Sequence, residues 1–238
     1  MIIGILGGLG PEATKDLYEK IIQTTPAKCD QDHIEIIIYN NPKIPDRTQA
    51  ILYNGENPLP QLIHTAKTLE KAGAELIVIP CNTAHYFLDK LQPRTPVPIL
   101  NMIEETAAFI HHNYPDTKKV GILATTGTIK TNLYQKTLQN TGIMPITPST
   151  YEQESLIMEA IYGTQGIKRG KKTQPRKLLL KAAQSLTQQG AQLIILGCTE
   201  IPLALRQKEI SSVLINPANI LAEKIITLTQ TKKQKVII

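Results

Sequence analysis

An internal repeat constrains this chain more than any other feature. Shifting the 238-residue sequence by 117 positions sets Ile3-Gly4-Ile5-Leu6 on Val120-Gly121-Ile122-Leu123, and Gly10 on Gly127. The same shift sets Leu62, Ala66 and Leu69 on Leu179, Ala183 and Leu186, residues 73–79 (GAELIVI) on 190–196 (GAQLIIL), and Cys81 on Cys198. With the offset reduced to 115, Ile99-Leu100-Asn101 meets Leu214-Ile215-Asn216, and Ala107 and Ile110 meet Ala222 and Ile225. One offset holding across separate segments means one structural unit written twice.

Each copy reads as strands separated by helices. Apolar runs bounded by Gly or Pro at 2–6, 34–39, 76–79 and 97–100, and at 119–123, 144–147, 193–196 and 213–215, have the length and character of buried parallel strands. A helix is expected to start at Pro11-Glu12, and others at 59–72, 101–113, 176–189 and 218–229, with Gly73 and Gly190 as stops. Strands alternating with helices predict an α/β fold of two similar parallel-sheet lobes related by a pseudo-twofold axis. The expected division is an N-terminal lobe at 1–114, a C-terminal lobe at 115–213, and a last strand and helix at 214–238. Ligands of open α/β sheets bind beyond the carboxyl ends of the strands, so two facing lobes enclose one cleft.

Charge narrows the partners. The net charge is +6, but residues 168–181 hold seven Lys/Arg and no acid, and 232–238 hold three more. Outside these segments 16 basic residues face 20 acidic ones, a balance of −4. With no Trp and two Phe there is no aromatic platform for single-stranded nucleic acid. No nucleic-acid partner is therefore expected. No apolar run approaches the roughly 18 residues that span a bilayer, so no membrane partner is expected. Three cysteines do not make a disulfide framework, which fits a reducing cytoplasm.

Cys81 and Cys198 each follow a predicted strand at its carboxyl end, before Asn82-Thr83 and Thr199-Glu200. A helix start there offers free backbone N–H groups, which favour a thiolate and hold a carboxylate. Dithiol exchange by a Cys-x-x-Cys is absent from the sequence. A structural zinc site wants about four ligands, whereas Cys81, Cys198 and His85 supply three and the histidine is not repeated. Two symmetric thiols suit a symmetric reaction, in which one removes a proton from a carbon and the other returns one on the opposite face.

The segments Gly7-Gly8-Leu9-Gly10-Pro11-Glu12-Ala13-Thr14, Asn41-Pro42-Lys43-Ile44-Pro45-Asp46-Arg47-Thr48, Pro80-Cys81-Asn82-Thr83-Ala84-His85 and Gly197-Cys198-Thr199-Glu200-Ile201-Pro202 resemble the aspartate/glutamate racemase family, in this order and over essentially the whole chain. Within it, the resemblance leans towards the aspartate racemases. It implies racemisation without pyridoxal phosphate, metal or other cofactor, a small dicarboxylic amino acid as substrate, and a homodimer. It implies that Cys81 and Cys198 are the acid/base pair. It further implies that Asn82, Thr83, Thr199 and Glu200 contact the α-carboxylate and α-amino group, that Arg47 helps to recognise a carboxylate, and that Lys168 binds the side-chain carboxylate. On this basis Arg47 and Lys168 together are expected to hold the side-chain carboxylate. The resemblance also implies that the last helix crosses back onto the first lobe. A maleate-isomerase or malonate-decarboxylase type of reaction, and a non-catalytic acidic-amino-acid binder, stand as alternatives.

Four expectations come from the residues themselves. Gly7-Gly8-Leu9-Gly10 lacks dinucleotide-binding spacing, so Gly8 is expected to let a backbone N–H approach a small ligand. In the second copy Ala124-Thr125-Thr126-Gly127-Thr128 takes the same place, with Thr126 the expected α-carboxylate contact. His85 is expected to pack a helix rather than tune Cys81, and Cys29 to be an incidental loop thiol.

Overall fold

Strand β1 (Ile3–Gly7) is buried along its whole length, as a central parallel strand with helices on both faces must be. The computed structural model describes residues 1–236, and beyond residue 231 the backbone alone. The basic segment expected at 232–238 therefore lies outside the described side chains. β1 sits between β2 (Ile36–Asn40) and β3 (Leu76–Val78) in a parallel sheet of order β2-β1-β3. The second sheet has the order β5-β4-β6-β7, from Met144–Ile146, Lys119–Ala124, Leu193–Gly197 and Val213–Ile215, again all parallel.

Alternation along the strands divides each core in two. In the first sheet Ile3, Ile5, Leu76 and Val78 face one helical layer, whereas Leu6 and Ile77 face another, formed by Leu62, Ala66 and Leu69 of the helix Leu59–Lys71. In the second, Val120, Ile122, Leu193 and Ile195 point to one side, and Leu123, Ile194 and Leu196 to the other. The equivalent glycines Gly73 and Gly190 adopt φ of +98° and +94°, where the chain turns out of a helix.

The layers facing Ile3 and Val120 are exchanged between the halves. The helix Met102–Asn113 ends the first copy, yet its Ile103, Ala107 and Ile110 pack on the second sheet. The helix Pro217–Val236 ends the second copy, yet its Leu221, Ala222 and Ile225 pack with Leu17, Ile21 and the first sheet.

The strand expected at 97–100 is reduced to a single parallel bridge between Ile77 and Ile99. Pro96 and Pro98 have no N–H to give a ladder. Gln92 substitutes: its Nε2 donates to the Thr95 and Val97 carbonyls, and its Oε1 accepts from Ile99 N at 2.8 Å. Gln207 does the same beside β7, donating to the Ile210 and Ser212 carbonyls and accepting from Leu214 N at 2.7 Å.

Candidate active site

Cys81 follows the end of β3 and Cys198 the end of β6, and both are 6% exposed. The repeat thereby brings one thiol from each half to the wall of a single cavity, together with Arg47, Asn82, Thr83, Lys168, Thr199 and Glu200. The cavity is about 10 Å³, and an outer pocket of about 450 Å³ adjoins it. Leu9, Arg47, Lys168 and Glu200 border both. The inner space is about what one water molecule needs. The four shared residues form the wall between it and the outer pocket.

The wall is held by an ion pair. Lys168 Nζ donates to Glu200 Oε1 at 2.6 Å. The other carboxylate oxygen accepts from Cys198 Sγ at 3.0 Å and from Thr199 Oγ1 at 3.3 Å. Burial pushes the Glu200 carboxyl up, but the Lys168 charge and these hydrogen bonds outweigh it and hold it below the usual range. Burial likewise opposes the Lys168 charge, and Glu200 more than offsets it. Burial and the Glu200 charge together push the Cys198 thiol well above its ordinary value. The resting arrangement is thus an ammonium, a carboxylate and a protonated thiol in series.

Removing the carboxylate charge while Lys168 stays favours the thiolate. In Glu200→Gln, with Cys29 and Cys81 replaced by serine so that only Cys198 reacts, the midpoint of iodoacetamide alkylation is expected at lower pH than in the same background with Glu200. An unchanged midpoint would show that Glu200 does not set this thiol.

On the opposite side Arg47 lies in the first turn of the helix Arg47–Leu52, capped by Asp46. Its Nη2 donates to Leu9 O at 2.7 Å and its Nη1 to Pro45 O at 3.0 Å and Ile44 O at 3.3 Å. Its Nε is buried without a partner. Burial opposes the charge, while neighbouring Cys81, Asp46 and Tyr162 outweigh it and raise the guanidinium pKa. Asn82 accepts from the Tyr134 hydroxyl through Oδ1, leaving Nδ2 a buried donor with nothing bound. Two unspent donors around one cavity mark it as built for an acceptor-rich ligand.

Other expected site residues are committed elsewhere. Gly8 borders the outer pocket only, and its N–H already donates to Thr14 Oγ1 at 2.9 Å. Thr126 donates to Glu154 Oε1 at 2.7 Å and does not line the cavity, whereas its neighbour Thr125 does. Thr83 joins a hydroxyl cluster spanning the halves, 2.9 Å from both Thr125 and Thr128. Sequence reasoning passed over Leu9 and Tyr162. The Tyr162 hydroxyl donates to Asp46 Oδ2 at 3.0 Å across the two halves. Leu9 lies inside the glycine-rich segment singled out for Gly8, which was the available signal, whereas Tyr162 lies six residues before Lys168 with no local pattern to mark it.

His85 Nδ1 donates to Cys81 O at 2.9 Å, and Nε2 accepts from Met102 N at 3.1 Å. Burial lowers its pKa. A neutral ring with both nitrogens engaged anchors the helix Met102–Asn113 to the Cys81 loop. Cys29 is exposed. Among the described residues no three His, Cys, Asp or Glu side chains are grouped to hold a metal ion, and no helix is long and apolar enough to cross a membrane.

The family model for Asp/Glu/hydantoin racemase matches residues 6–225. A broad specificity amino-acid racemase of Bacillus subtilis is 31% identical over 204 residues, which are 84% of this chain and 86% of that protein. Among solved structures, the Picrophilus torridus aspartate racemase superposes with a TM-score of 0.82 at 29% identity, covering 95% of this chain and 93% of that one. An aspartate racemase homologue from Pyrococcus horikoshii gives 0.75 at 31%, covering 96% and 98%.

Proposed function

The chain belongs to the Asp/Glu/hydantoin racemase family, and on that premise we propose that it interconverts L- and D-aspartate, with glutamate the second dicarboxylic candidate, by proton transfer between Cα and two cysteines. The observation that carries the reading is the pair of buried thiols, one from each half, on one cavity. One sulfur, as thiolate, removes the Cα proton and becomes a thiol. The other thiol gives its proton to the opposite face and becomes the thiolate, and the roles reverse for the other enantiomer. Protonated Cys198 is poised as the acid. Asn82 Nδ2 is an unspent donor for the negative charge that develops on the α-carboxylate. Lys168 exchanges Glu200 for the side-chain carboxylate as the wall opens, and Arg47 meets the same group through Nε. A homodimer working in the cytoplasm completes the proposal.

A second reading concerns breadth. Arg47 spends Nη1 and Nη2 on backbone carbonyls and Lys168 is paired with Glu200, so neither cation stands fully free for a second carboxylate. This arrangement, with the broad specificity of the Bacillus subtilis relative, favours acceptance of several amino acids.

Chiral chromatography of an L- and D-amino-acid panel incubated in deuterium oxide tests both readings. Aspartate is expected to approach a racemate with deuterium at Cα. Unchanged configuration for aspartate and glutamate would overturn the dicarboxylate proposal, and comparable turnover of neutral or basic amino acids would establish the broad one. Turnover of maleate or malonate with a trapped cysteine adduct would instead favour the isomerase or decarboxylase alternative. Tight binding of aspartate with its configuration unchanged would favour a non-catalytic binder.

A further inference from the structure

The proposed reaction uses Lys168 and leaves the other six basic residues of 168–181 unexplained. Three of the six, all exposed, gather at one place. Lys172, Arg176 and Lys177 meet Arg206, from a separate segment, around a concave pocket of about 460 Å³ floored by Leu180 and Leu203. It shares no lining residue with the cavity of the thiols or with the pocket outside it. Its one acid, Glu209, is occupied by Arg176 Nε at 2.6 Å. Among the described residues Lys172, Lys177 and Arg206 form no ion pair.

We propose that this pocket is an effector site for a phosphate-bearing small molecule. A volume of this order suits a small ligand. Converging ammonium and guanidinium groups recognise phosphate by charge and by paired N–H donors. No aromatic side chain lines the pocket, so recognition rests on the anionic group and not on stacking of a base. A long polyanion fits less well, because the chain outside its two basic segments carries a balance of −4.

The pocket is also wired to the substrate site. Lys168 lies four residues before Lys172, on the turn that Gly170 makes at φ +75°. Glu200 lies three residues before Leu203, at the start of the helical turn Ile201–Leu203. Both partners of the ion pair that closes the inner cavity thus hang on segments that continue into the effector pocket wall. A ligand drawing Lys172 inward or shifting Leu203 favours one state of that pair over the other, which is what coupling between two sites requires.

Calorimetric titration of the full chain with pyrophosphate in chloride buffer tests the site, and needs no racemisation to be read. One saturable site per chain is expected. The double variant Lys177→Glu/Arg206→Glu should lose at least ~10-fold in affinity, about 1.4 kcal/mol. Lys67→Glu/Lys71→Glu, an equal charge change on exposed residues outside the pocket, should keep it within about twofold. Should charge reversal unfold the pocket, Lys177→Ala/Arg206→Ala gives the same comparison. No saturable binding, or equal loss in both double variants, would overturn the site. Saturating pyrophosphate is expected to change the KM of the racemised amino acid in the wild type and not in Lys177→Glu/Arg206→Glu. Binding with no change in KM would overturn the coupling.

Discussion

Serine in place of either Cys81 or Cys198 is expected to lower racemisation about 10²–10⁴-fold in both directions, the contribution of a positioned acid or base. The two sulfurs border one cavity from the two halves of the chain. Removing either leaves Cα without its acid on one face, or its base, depending on the enantiomer offered. A thiol gives up and takes back a proton far more readily than a serine hydroxyl does. Serine is close to isosteric, so the fold and the substrate contacts should persist, and the loss should appear in kcat more than in KM. Measuring kcat from L- and from D-aspartate, with deuterium incorporation at Cα, separates the two sulfurs. A variant that exchanges the Cα proton of one enantiomer without inverting it retains the base on that face alone. Full activity in either variant would remove that cysteine from the mechanism.

Gly8→Ala is expected to destabilise the protein by roughly 2–5 kcal/mol, from left-handed backbone strain together with overpacking. Gly8 has φ +96°, and a Cβ placed there would stand 2.3 Å from the Asn41 carbonyl carbon and 2.4 Å from its oxygen. These are backbone atoms, which no rotamer change moves aside. The displaced segment leads from β2 to Arg47, so folded variant should also bind substrate more weakly. Urea unfolding against Gly10→Ala makes the comparison. At Gly10 the nearest atoms to a new Cβ are the ends of Glu200 and Lys168, at 3.3 and 3.8 Å, and a loss under about 1 kcal/mol is expected. Equal losses in the two variants would refute the assignment of Gly8 to backbone crowding.

The repeat makes much of this legible in the sequence. Ile3-Gly4-Ile5-Leu6 and its copy mark the two central strands, and the offset that pairs them carries Cys81 onto Cys198. Periodicity does not reach contacts between residues outside the repeat. The Lys168–Glu200 pair joins a loop to a strand end 32 residues later, and nothing in local pattern announces it. The choice between Thr125 and Thr126 turned on Glu154, a residue of the irregular helical segment Gln153–Met158. The glycine-rich turn suggests a Gly8 N–H free for a ligand, whereas Thr14, six residues on, accepts from it. Apolar composition at 97–100 promised a strand, and the missing N–H groups of Pro96 and Pro98 limited it to a bridge.

The exchange of helices between the halves governs the order in which the chain can finish folding. Ile3, Ile5, Leu17 and Ile21 are synthesised well before Leu221, Ala222 and Ile225, which form one layer of their core. Each fully buried Leu or Ile contributes roughly 1.5–3 kcal/mol. A nascent first half therefore waits, with that apolar face uncovered, for residues made some two hundred positions later. Meanwhile its own last helix, Met102–Asn113, is already committed to a sheet not yet translated. The layers facing Ile3 and Val120 are complete only when both halves are present, and the two thiol-bearing strand ends meet across that same junction.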